Sequence, residues 1–211
     1  MNEVLVNAPL FFIRHGETDW NLQRRFQGQS NIELNNKGRS QAIENANLLK
    51  QSLAKQAIAP DKLNFLSSPL ARARETAEII MTTLGLPASS LGTSDALKEI
   101  SFGLWEGLTP AETKQQYYQQ RQKRRKDRWS IAPPGGESFA SRVDEINQIL
   151  VNLPAYSVII SHSGIMRIVF HILEKTPPNE AVKADIPHIG HRIWDGNTLF
   201  QYQKGFSLIK P

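Results

Sequence analysis

The 211-residue sequence contains no cysteine. Disulfide scaffolding, thiolate zinc sites and cysteine nucleophiles are therefore excluded. Long apolar runs are also missing: nothing approaches the roughly 18 residues that a membrane span needs, and mean hydropathy is −0.39. The opening residues, MNEVLVNAPLFFIRHG, carry no cationic leader, long apolar stretch and small-residue cleavage site, so a cytoplasmic location is expected and no membrane partner. No Walker A, G-x-S-x-G or G-x-G-x-x-G pattern occurs, which leaves nucleotide-loop and serine-hydrolase readings without support. Internal repeats and long Pro/Gly/Ser linkers are lacking too. Residues 1–211 therefore read as one domain with one insertion-like region at about 108–132.

An excess of basic residues is present: 25 Lys+Arg stand against 20 Asp+Glu, a net charge of +5. Its location decides its meaning. Arg121 to Arg128, RQKRRKDR, holds six basic residues and one acidic one; 25 less six and 20 less one leave 19 of each elsewhere. A nucleic-acid partner would have to bind through those eight residues, where a charge run more often forms a solvated helix face and Trp129 is the one aromatic neighbour.

Three short apolar runs end in polar residues and lead into helical patterns. They are Leu10-Phe11-Phe12-Ile13 into Arg14-His15-Gly16, Leu63-Asn64-Phe65-Leu66 into Ser67-Ser68-Pro69, and Val158-Ile159-Ile160 into Ser161-His162-Ser163. Continuous apolar runs of this length suit strands covered on both faces. Helical stripes are predicted through Ala42, Ala46, Leu49 and Leu53; Leu70, Ala73, Ala77, Ile80 and Leu84; Phe139, Val143, Ile146, Leu150 and Leu153; and Ile165, Ile168, Val169 and Ile172. Thr198–Tyr202 and Phe206–Ile209 flank a Gln-Lys-Gly turn and predict a hairpin. The expected fold class is α/β, a three-layer α/β/α sandwich with a mostly parallel central sheet. Ligands of such sheets gather beyond the carboxyl ends of the strands, so His15 and His162 should meet there, with Arg14 and Arg72 supplying planar, permanently charged donors for a phosphate or carboxylate. His171 falls inside the last helical pattern and reads as a partly buried or surface residue rather than a catalytic one. His188 and His191 are spaced for a metal pair, but no carboxylate or further His lies at metal-site spacing, so no metal is expected.

At this point the motifs resemble the histidine phosphatase superfamily, also called phosphoglycerate mutase-like. FFIRHGETDWN (Phe11 to Asn21) resembles its signature, LSSPLARARETA (Leu66 to Ala77) its second motif, LKEISFGLWEG (Leu97 to Gly107) its third, PPGGES (Pro133 to Ser138) its fourth and IISHSGIMR (Ile159 to Arg167) its last, in the family's order. QGQSNIELNNKGRSQA (Gln27 to Ala42) follows a weaker block, with Asn31 for the common Asp and Glu33 for the common Pro. The resemblance implies a phosphoglycerate mutase-like fold and a metal-independent phosphomonoesterase that transfers the phosphoryl group of a small phosphorylated metabolite to His15. It further implies that Arg14, Arg72 and His162 bind the phosphoryl oxygens and that Glu99 acts as general acid and then base. Glu106 competes for that last role, and Asn21 and Gln27 are either phosphate ligands or pocket-wall residues. Glu17 and Thr18 are expected to cap the Arg-His-Gly turn or to orient His15.

The superfamily also contains mutases that share these residues and need 2,3-bisphosphoglycerate; no cofactor is expected for a phosphatase. Mutases carry a Trp after the Gly of the weaker block, where this chain has Gln29 after Gly28, and an Arg-Arg pair at a set distance before Pro-Pro, whereas Arg124-Arg125 sits too far from Pro133-Pro134. Those departures favour the phosphatase over the mutase. Because the family places its substrate cap between its third and fourth motifs, the insertion at 108–132 is expected to be cap-like and its basic run to border the pocket mouth. The oligomeric state is left open, a homodimer included.

Overall fold

A computed structural model describes residues 7–203 and the backbone of 206–209. The first half of the chain forms β1 (Leu10–Arg14), α1 (Asp19–Leu22), α2 (Asn36–Lys55), β2 (Asn64–Ser67), α3 (Ala71–Thr83) and the two-residue edge strand β3 (Gly92–Thr93). The second half forms α4 (Pro110–Gln116), α5 (Tyr118–Lys126), α6 (Val143–Asn152), β4 (Ser157–Ser161), α7 (Ser163–Glu174), α8 (Pro178–Ala181), β5 (His191–Trp194), β6 (Leu199–Gln203) and β7 (Phe206–Ile209).

The strands form one sheet in the order β3-β2-β4-β1-β5-β6-β7. Pairings from β3 to β1 are parallel and those from β1 to β7 antiparallel, so β5 and β7 alone run against the other strands. Successive side chains of a strand face opposite sides, and β1 and β4 bury both sets. Phe11, Ile13, Val158 and Ile160 pack with Ala46, Leu49, Ala73 and Ala77 of α2 and α3. Leu10, Phe12 and Ile159 pack with Ile146, Leu150, Ile165 and Val169 of α6 and α7. Helices on both faces of the sheet make the α/β/α sandwich, and the four predicted stripes are the faces that cover it. The predicted hairpin is β6–β7, whose turn residues Lys204 and Gly205 lie outside the described residues. Strand β5 escaped sequence reading because His191-Arg192-Ile193-Trp194 has too few apolar residues to show a period.

Between the third and fourth motifs lie α4 and α5. Thr109 caps α4 by accepting from Glu112 N–H (3.2 Å) while Glu112 accepts from Thr109 N–H (2.6 Å), and Pro110 occupies the first helical position. Arg121 of α5 donates to the Pro110 carbonyl and to Thr113 Oγ1, tying the two helices together. The basic run is not the uniformly solvated face expected of it. Lys123, Arg125 and Lys126 are exposed, but Arg124 is buried with its guanidinium 5.8 Å from the ring centroids of both Phe102 and Phe139. A charge run cannot reveal this, because the two phenylalanines that take the guanidinium on their π faces come from distant segments. Trp129 is likewise buried, stacked on Phe139 at 5.7 Å and met edge-on by His171 at 4.6 Å, so it offers no face to a nucleic-acid base. His171 also donates from Nδ1 to the Thr176 carbonyl (2.8 Å) and is partly buried.

Candidate active site

The parallel half of the sheet sets the site. β1, β2 and β4 are in register, Arg14 opposite Ser161 and Ser67 opposite Ile160, so all three end at one edge. Pairing continues one residue further: His15 N–H donates to Ser161 O and Ser68 N–H to Ile160 O, both at 3.0 Å. His15 and His162 therefore emerge side by side, with ring centroids 5.1 Å apart. Arg72 enters from the first turn of α3, and Asn31 Oδ1 accepts from Ala71 N–H (2.8 Å) to satisfy that helix start.

Each ring is held by specific partners. Nδ1 of His15 lies 2.7 Å from the Gly16 carbonyl, which can only accept, so Nδ1 carries the proton and Nε2 keeps its lone pair. Gly16 N–H in turn donates to Thr76 Oγ1 (3.1 Å). Nε2 of His162 pairs with the Ser68 hydroxyl (2.8 Å), while its buried Nδ1 has no protein partner. Arg72 donates to the Gly28 and Ser30 carbonyls (both 2.7 Å) and Arg14 to the Ile186 carbonyl (2.6 Å); the buried Nε of each arginine has no protein partner. Unpaired buried donors are costly in a protein alone and suit an anionic ligand.

Burial and the two guanidiniums dictate the charge states. Burial, followed by Arg72, His162, Arg14 and His188, pushes His15 well below the ordinary histidine range. His162 is pushed down by burial, Arg72 and Arg14. Burial also brings Arg14 and Arg72 down to about 10, which leaves both charged at neutral pH. The centre is thus two neutral imidazoles beside two cations.

A cleft of roughly 430 Å³ opens on this centre, lined by Arg14, His15, Arg72 and Glu99 with Asn21, Gln27 and Ser163. Phe26 and Phe102, with ring centroids 4.9 Å apart, form its aromatic wall. Glu99 is buried; its Oε1 accepts from Ile100 N–H and its Oε2 from Gly164 N–H, both at 3.1 Å, which places the carboxylate at the start of α7. Gly164 is required there because a Cβ would collide with Glu99 Oε1. Glu106, the competitor, is taken up otherwise. Its carboxylate accepts from Gln29, Ser30 and Phe102 N–H and from the Ser30 hydroxyl, at 2.6–3.1 Å, and so binds two loops together. It does not line the cleft.

Asn21 does line the cleft, but its Oδ1 is engaged by Thr18 N–H and Oγ–H (3.1 Å each) in the capping box of α1, which leaves its Nδ2 to face a ligand. Gln27 is buried with Oε1 unpartnered. Thr18 caps as expected, and Glu17 ties the Arg-His-Gly turn to α2 through Lys37 (2.8 Å) and Gln41, which accepts from Glu17 N–H at 2.8 Å. His188 and His191 are not a metal pair. His188 donates from Nδ1 to the backbone carbonyl of His15 (2.7 Å), with its ring 5.7 Å from that of His15. His191 sits inside the sheet's other half, paired with Ser52 Oγ (2.9 Å) and stacked on Tyr202 (5.1 Å). Among the described residues no group of three or more His, Asp or Glu is arranged to hold a metal ion. Sequence reasoning missed His188 and the aromatic wall, because their partners are far along the chain.

Residues 10–195 match the histidine phosphatase superfamily (branch 1). The chain belongs to that superfamily. A 2,3-bisphosphoglycerate-dependent phosphoglycerate mutase of Bartonella tribocorum is 36% identical over 134 residues, 64% of this chain and 62% of that enzyme. This superfamily member thus aligns with less than two thirds of the length of that relative. Among solved structures, mycobacterial glucosyl-3-phosphoglycerate phosphatase is 28% identical with a TM-score of 0.69, covering 88% of each chain. The alpha-ribazole phosphatase of Shigella flexneri shares the fold, with a TM-score of 0.75 at 22% identity over 89% of this chain and 90% of that one. No described helix is long and apolar enough to cross a membrane.

Proposed function

We propose that this protein is a metal-independent phosphomonoesterase that acts on a small phosphorylated metabolite through a phosphohistidine at His15. One observation carries the reading. A neutral imidazole, fixed on its Nδ1 side by the Gly16 carbonyl, leaves the Nε2 lone pair free in a cleft lined by Arg14 and Arg72, with the His162 ring 5.1 Å from its own.

In the first step the Nε2 lone pair attacks phosphorus and the ester P–O bond breaks. Arg14, Arg72 and His162 hold the equatorial oxygens, where the transition-state charge is spread. The leaving oxygen takes the proton of the Glu99 carboxyl and departs as the alcohol. In the second step Glu99 removes a proton from water, the resulting oxygen attacks phosphorus, the P–N bond breaks and inorganic phosphate leaves. His15 regains its lone pair. Asn21 and Gln27 border the same oxygens, and residues 108–132 act as a cap, held against the cleft wall where Arg25 donates to the Gly107 carbonyl (2.6 Å) and to Glu112 (3.2 Å).

Two departures from the mutases favour hydrolysis over phosphoglycerate isomerisation. Arg124 is turned inward between Phe102 and Phe139, and Gln29 stands where the mutases carry a Trp. The solved glucosyl-3-phosphoglycerate enzyme, a phosphatase by name, supports the same choice. The test is to mix the protein with a ³²P-phosphomonoester and quench in alkaline detergent, which preserves phosphohistidine. Label on the wild type, its loss in His15→Ala and net phosphate release are expected; equal labelling of His15→Ala, or isomerisation of phosphoglycerate dependent on 2,3-bisphosphoglycerate, would overturn the proposal.

A further inference from the structure

Glu99 does not sit on a helix or strand. It belongs to a strap, residues 96–102, with a single 3-10 turn at each end, so its reach into the cleft depends on what holds the strap. From the sheet, Leu97 O accepts from Ser161 Oγ (2.8 Å), and from the start of α6 Arg142 donates to Ala96 O (2.9 Å). On the far side of Glu99, Glu106 takes the Phe102 N–H (3.1 Å), and a single oxygen of Glu137 gathers three further bonds. Glu137 Oε2 accepts from Ser101 N–H (2.8 Å), from the Gln29 amide (3.2 Å) and from Arg142 (3.0 Å). Gln29 shares its Nε2 with the backbone carbonyl of Glu99 itself (3.2 Å), and Glu137 N–H donates to Ser101 O (2.8 Å). Arg142 is buried and also paired with Glu145 (2.7 Å), which ties the anchor of the group to α6.

Resting on the phosphatase reading above, we propose that Gln29, Glu137 and Arg142 form a positioning clamp that sets the Glu99 carboxyl at the leaving oxygen. None of the three is a catalytic residue. Gln29, the residue that departs from the mutase pattern, has this as its purpose: a Trp at the same place could not bridge the Glu99 carbonyl and Glu137. A carboxyl displaced by about 1 Å loses much of its worth as a proton donor although the fold is intact.

The leaving group provides the readout. An alkyl phosphate needs the proton from Glu99 as its P–O bond breaks, whereas p-nitrophenyl phosphate expels a stable phenolate and needs it far less. The isosteric Glu137→Gln, which keeps volume but removes the charge that Arg142 and Ser101 N–H face, and Gln29→Ala are each compared with wild type on butyl phosphate and p-nitrophenyl phosphate, using single-turnover phosphorylation of His15. The expected result is a loss of about tenfold or more on butyl phosphate with p-nitrophenyl phosphate within about twofold, the pattern of Glu99→Gln in milder form. Equal losses on both substrates, or none on either, would overturn the clamp. If wild type phosphorylated on neither substrate, the phosphatase reading would fail first; if Glu99→Gln itself showed no leaving-group dependence, Glu99 would not be the acid and the clamp would fall with it.

Discussion

His188 shows how much a single side chain can contribute without lining the cleft. Its Nδ1–H holds the carbonyl of His15 at 2.7 Å, and its own backbone is fixed from α2, where Asn45 donates to the His188 carbonyl (2.8 Å) and accepts from Gly190 N–H (2.7 Å). Burial, followed by Arg14, lowers His188 to about 4, so this donor stays neutral and in place across the working range. His188→Ala should reduce kcat by about tenfold with KM little changed, and His188→Asn, which retains an N–H donor, should recover most of it; steady-state kinetics of the three proteins decides. His15, His162, Arg14 and Arg72 were legible in the sequence because each stands at or just past the end of an apolar run or at a helix start. His188 was not, since its partner lies 173 residues away and the intervening chain shows no pattern that links them.

Elements with one buried face were legible for a simple reason: their apolar period is written in the residues that touch the sheet. What the sequence could not reveal were segments whose form depends on partners elsewhere, such as the strap at 96–102, strand β5 and the inward turn of Arg124. Helix α7 joins the two groups. Its stripe of Ile165, Ile168 and Val169 was predicted, yet its first turn also places a backbone N–H on Glu99 at a point where Gly164 has no room for a methyl group. Gly164→Ala is therefore expected to leave the helix intact, alanine being the better helix former, while displacing Glu99. Unchanged circular dichroism with a fall of about tenfold or more in kcat on alkyl phosphates would meet that expectation; full activity would show that the carboxylate has slack.

Taken as one body, the molecule lowers the proton affinity of four of its five imidazoles. Burial lowers His15 and His162 well below the ordinary value, His188 to about 4 and His191 to about 3. Between the ordinary value of 6.5 and these lowered values, the unfolded chain binds protons that the folded chain does not. Stability consequently rises with pH through that window and falls on acidification, by about 1.4 kcal/mol per pH unit for each such proton. Urea midpoints should drop from pH 7 to pH 5, and His191→Phe, which removes one of the four groups between Phe11 and Tyr202, should make the dependence shallower. An unaltered slope in that variant would mean that His191 does not contribute.

The bond between His15 Nδ1 and the Gly16 carbonyl has a stereochemical consequence for the phosphohistidine proposed above. With that nitrogen occupied by its proton and facing backbone, phosphorylation is confined to the other ring nitrogen. On that proposal the chain would form the tele isomer of phosphohistidine, and the pros isomer, in which the phosphoryl group would have to replace the Gly16 contact, would be closed to it.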